Sequence, residues 1–154
     1  MNALELIVQF DWADGDHLAR WASDWADENW HQISSVKWGQ WEGLRRQGED
    51  VTRWENFERR LIRWMSDEAK PATGGQHPPR RAWTELRNLL LKEIETASQP
   101  PDSYSKLDGY LDDLAVGKAE RDAIDQYLRV QRARKFLDLL LMKIRSKQSS
   151  GGKA

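Results

Sequence analysis

The chain has 154 residues, no cysteine and a formal net charge of −1. The missing cysteines exclude a disulfide scaffold, a thiolate metal site and a cysteine nucleophile, and the length suits one domain with its own core. No apolar run approaches the roughly 20 residues that a membrane span requires, and the opening residues lack the basic and apolar blocks of a secretory signal, so a cytoplasmic protein is expected.

The small net charge hides a gradient. Residues 1 to 36 hold seven acids against one base, Arg20. Residues 129 to 147 hold seven bases against one acid, Asp138. An acidic head and a basic end can steer association, including head-to-tail assembly of copies.

In chain order, "ALELIVQFDW" is the one strand candidate. Leu4, Leu6, Val8, Phe10 and Trp12 alternate with their neighbours at a period near two. Its partner would be the segment "SSVKWGQWEG" at 34–43, in a small ribbon, or another chain. The next stretch reads as a helix capped by Asp14 or Asp16. It has Leu18, Trp21, Ala22 and Trp25 on one face and Asp24, Asp27 and Glu28 on the other. A central helix follows, with Thr52 and Glu55 at capping-box spacing. Its apolar stripe is Trp54, Phe57, Leu61, Trp64 and Met65, and Arg59, Arg60 and Arg63 lie opposite.

Residues 71–81, rich in proline and glycine, form a loop. A helix then restarts, with Trp83, Leu86, Leu90, Ile94 and Ala97 on one face. After a second proline break, a short helix ends at Gly117, which is available for a left-handed cap. Residues 118–147 form the longest helix, and 148–154 read as a disordered tail. The expectation is a mainly α protein: a single domain over 1–147, built as a bundle of four to five helices. An N-terminal strand or short β-ribbon is an optional addition.

Catalytic signals are poor. The phosphate-loop, nucleophile-elbow, zinc-protease and dinucleotide patterns are missing. The acids of "DWADGD" do not alternate as a calcium loop does, and helix capping accounts for them. His17, His31 and His77 have no second ligand at helical spacing. Asp112 and Asp113 are adjacent and so point in different directions on a helix. No catalytic residue, metal or cofactor is assigned, and the protein is read as a non-enzyme. A site gathered from several helices is the remaining enzymatic option.

Nine tryptophans are the unusual feature. Trp21, Trp25, Trp54, Trp64 and Trp83 fall on apolar stripes and belong to a core. Trp30, Trp38 and Trp41 fall off the stripes, beside Gly39 and Gly43. They suit interface anchors or stacking platforms, with ribbon packing as the plain alternative. On the last helix, Val130, Ala133, Leu137, Leu140, Leu141 and Ile144 cover a core-facing side. The other side mixes Arg129, Arg132, Lys135, Lys143 and Lys147 with Phe136, Leu139 and Met142. Such a side meets a partner helix, or sets its bases on phosphate. A plainly solvated face is the third option.

Two functions follow as expectations. The first is a non-enzymatic assembly or adaptor subunit that binds protein partners or itself through Trp30, Trp38, Trp41, Phe136, Leu139 and Met142. The second is a small helical subunit of a bacterial ribonucleoprotein or defence complex, which grips an RNA or single-stranded DNA backbone. It would use Arg59, Arg60, Arg63, Arg129, Arg132, Lys135, Lys143 and Lys147. If the two arginine-bearing sides align, with Arg80 and Arg81 flanking, they form one groove. That groove could equally receive the acidic head of a second copy.

Overall fold

The computed structural model describes residues 15–34, 36–68, 81–99, 109, 111–114 and 116–151. The N-terminal strand candidate and the loop at 71–80 lie outside them, as does the side chain of Trp83. The chain is mainly helical, and all regular structure among the described residues is helix. The helices are α1 (Gly15–Glu28), α2 (Trp30–Ile33), α3 (Trp38–Arg46), α4 (Trp54–Glu68), α5 (Arg81–Ser98) and α6 (Lys118–Gly151).

The segment expected to supply a ribbon strand is instead helix α3. Its apolar residues explain why. Trp38, Trp41 and Leu44 recur every three residues, so they gather on one side of a helix and scatter across both faces of a strand. Trp41 and Leu44 are fully buried. The Lys37 N–H donates to the Gln40 side-chain oxygen at 3.0 Å, which closes the first turn. Gly43 and Gly48 let rings approach: a Cβ at either position would collide with the ring of Trp64 or Phe57.

Helix α6 is the hub. It packs against α1, α3, α4 and α5, most extensively against α1. One continuous core joins Leu18, Trp25, Trp41, Phe57, Leu90, Phe136 and Leu140 across these helices. Helix α4 starts at Trp54, and the Trp54 N–H donates to Gln126 Oε1 of α6 at 3.0 Å. Its cap is therefore tertiary rather than the expected Thr52. Gly117 takes no left-handed conformation; its carbonyl accepts the Arg121 N–H at 2.8 Å and begins α6. The far end also differs from expectation. Helix α6 runs on to Gly151, and Gln148 Nε2 donates to the Val36 carbonyl at 3.4 Å.

Candidate functional site

Helix α6 was expected to carry two adhesive sides, and both meet this same chain for much of their length. Phe136 is completely buried, with its ring edge-on to Trp21 at 5.5 Å between centroids. It is therefore a core residue and not a partner contact. At about 100° per residue, Phe136 neighbours Leu140 on the edge of the core stripe. The stripe widens there because α1 and α5 both lie along it. Leu139 is half-buried against the core. Of that apolar trio, Met142 stays exposed, at 69 %.

The bases of α6 are also engaged within the fold. Arg132 is 4 % exposed, and its Nε donates to the Ala97 carbonyl at 3.1 Å. Arg129 donates to Ser98 Oγ at 3.2 Å and lies over Trp54 at 4.6 Å. Both close the C-terminal end of α5, whose last turn has no base of its own. Free carbonyls and the negative end of the helix dipole attract cations there. Arg132, expected to meet phosphate, is buried against this helix end, and Arg129 is partly engaged there.

Lys147 and Lys143 reach Asp27 Oδ1 at 2.7 and 3.7 Å. The acidic head and the basic end thus attract each other inside one chain, where α1 crosses α6. Lys147 also lies 5.0 Å from the ring centroid of Trp30, and Arg145 lies 4.6 Å over Trp38. Two of the off-stripe tryptophans, Trp30 and Trp38, thus meet cations of α6 as cation–π pairs. Trp30 and Trp38 are half-buried against the core, and Trp41 is wholly inside it, so Trp41 is no partner anchor. Lys135 is exposed and meets no charged partner among the described residues.

The hydrogen bond from Lys147, then the nearby positive charge of Lys143, holds the Asp27 carboxyl below its ordinary value of 3.8. A depressed folded-state value means that the ionised form favours folding. That contribution is present above about pH 4, the unfolded value, and is lost as pH falls through the lowered folded value. Asp27→Asn should therefore lower the urea midpoint more at pH 7 than at pH 3. An equal shift at both pH values would remove the charge pairing from the account.

Three of the surface hollows are lined by described residues. One lies between α3 and the C-terminal part of α6 and has a volume of about 570 Å³. Leu141, Met142 and Trp38 are its apolar lining, and Arg45, Asp138, Glu42 and Arg145 its charged lining. Arg45 and Asp138 approach to 4.0 Å across it, a solvent-exposed pair of small energetic value. The second, about 400 Å³, lies on the outer face of α4 and is lined by Arg59, Arg60 and Arg63. None of the α6 bases joins it, so the expected single groove of arginines does not form among the described residues.

The third hollow, about 540 Å³, lies between α1 and α5 and gathers His17, Asp24, Glu28 and Glu93. Glu93 accepts the indole N–H of Trp21, which ties α1 to α5. Asp24 and Glu28 are exposed. Among the described residues no group of three His, Asp or Glu side chains is placed to hold a metal ion, and no helix is long and apolar enough to cross a membrane.

Comparison with known protein families, curated proteins and solved structures finds no match. The site geometry therefore carries the functional reading.

Proposed function

We propose that the protein is a non-enzymatic assembly subunit, a small helical bundle that docks on a protein partner through the hollow between α3 and α6. The observation that supports this reading is Met142. It is an unbranched, adaptable apolar side chain, 69 % exposed, and it sits in a concavity with Leu141 and Trp38. Methionine is over-used on surfaces that receive varied apolar side chains. Buried aromatic and apolar anchors surrounded by a polar rim carry most interface energy. The lining holds acids and bases together, which suits a partner surface of mixed charge rather than a polyanion.

Met142→Asp tests the reading, because an exposed position accepts a carboxylate without unfolding the chain. The wild-type protein should co-purify with a stoichiometric partner from its host, or scatter light as more than one 18.0 kDa chain. Met142→Asp should lose that association and keep its melting temperature. A wild-type protein that stays an unaccompanied 18.0 kDa monomer, or a variant that associates as well as the parent, overturns the reading.

A further inference from the structure

We propose that the hollow on the outer face of α4 is a phosphate-binding site that takes the backbone of a single-stranded nucleic acid. Arg59, Arg60 and Arg63 fall within little more than one helical turn, and all three are exposed. Arg59 and Arg63 form no ion pair with any described residue, and Arg60 reaches only the Glu49 carbonyl, at 3.5 Å. The contrast with α6 is direct. There Arg129, Arg132, Lys143 and Lys147 are each engaged by the C-terminal end of α5 or by Asp27.

Like charges four residues apart on a helix repel, and Asp50, the acid of the described lining, forms no ion pair with Arg59 or Arg63 that would offset that repulsion. An external anion would. Thr52 and Asn56 line the same concavity and add a hydroxyl and an amide as further donors. Three guanidinium forks exceed what the two oxygens of one carboxylate can accept. A phosphate diester, with its neighbours along a strand, offers more oxygens in a geometry that arginine matches.

Among the described residues no aromatic side chain lines the hollow. Trp54 and Phe57 of the same helix are buried, stacked on each other at 5.6 Å. Bases therefore find no stacking platform, and contact is confined to the sequence-indifferent backbone. A flexible strand can bend a phosphate into a concavity, whereas a duplex holds its phosphates on a stiff cylinder. Asp50 is the one acid among the described lining residues, with a left-handed backbone (φ 62°), and it opposes an incoming anion.

The test is fluorescence anisotropy of labelled oligouridylate and oligothymidylate with the full chain at low salt. Binding should weaken steeply with salt. Arg59→Gln with Arg63→Gln should weaken it by roughly tenfold or more and lower the log–log salt slope by about 0.7 for each lost contact. Asp50→Asn should tighten binding, since asparagine tolerates the left-handed backbone. All these side chains are exposed, so melting curves should match the parent. Met142→Asp should bind as the parent does, which separates this site from the hollow between α3 and α6.

Four results would overturn the proposal. They are no anisotropy change with the wild type, unchanged binding by the double glutamine variant, competition by polyglutamate equal to that of the oligonucleotide, and retention of inorganic phosphate without either oligonucleotide.

Discussion

Phe136→Asp is expected to abolish cooperative folding at neutral pH. The ring is fully buried between α6 and α1 and meets Trp21 edge-on. Truncating a buried phenylalanine alone costs about 3–5 kcal/mol. An aspartate adds a carboxylate that must be desolvated, which costs more still. Domains of this size are stable by only about 5–15 kcal/mol. Far-UV circular dichroism and a urea titration should show a loosely structured chain without a sharp transition. A sigmoidal transition at the parental midpoint would place Phe136 outside the core. The contrast with Met142→Asp is informative. The same substitution six residues along the same helix should leave folding intact, because one position is enclosed and the other is open.

Trp41→Ala carries the second large effect. Trp41 is among the largest completely buried side chains, and its removal leaves a void that the surrounding helices can close only in part. The expected loss is about 3–5 kcal/mol, or roughly 6–20 °C in Tm for a chain of this length. Trp38→Ala should cost less, since Trp38 is half-buried and mainly supports Arg145. Equal thermal shifts for the two substitutions would contradict the assignment of one to the core and the other to the surface.

Much of the helical framework was legible in the residues themselves. The stripe Phe57, Leu61 and Met65 is buried as its spacing implies, as are Leu86, Leu90, Ile94 and Ala97. Val130, Ala133, Leu137, Leu140, Leu141 and Ile144 face the core in the same way. The error at 34–43 had a local cause. Val36 and Trp38 alternate, but Trp41 and Leu44 continue at helical intervals, and the longer pattern prevails because it builds one continuous buried side.

The functional residues were harder to read, for a different reason. A long helix with apolar groups on two sides and cations between them looks unfinished when considered alone. A signal was present, since a helix apolar on more than one face is commonly a central one. What was missing was the position of the neighbours. Arg129 and Arg132 have no feature in their own helix that marks them as closing another helix's end. Their partners, Ser98 and Ala97, lie more than thirty residues away in the chain. Asp27 and Lys147 are separated by 120 positions.

The sequence by itself therefore determined where most of the helices form and most of the stripe that each turns inward, because both depend on periodicity within a few turns. Tertiary structure alone decided which cations and tryptophans are used up internally and which remain for a partner. Electrostatic and packing complementarity acts between groups that are close in space, and helical spacing along one segment contains no information about what another segment brings to it. Arg59, Arg60, Arg63 and Met142 stand out only once the others have found their partners.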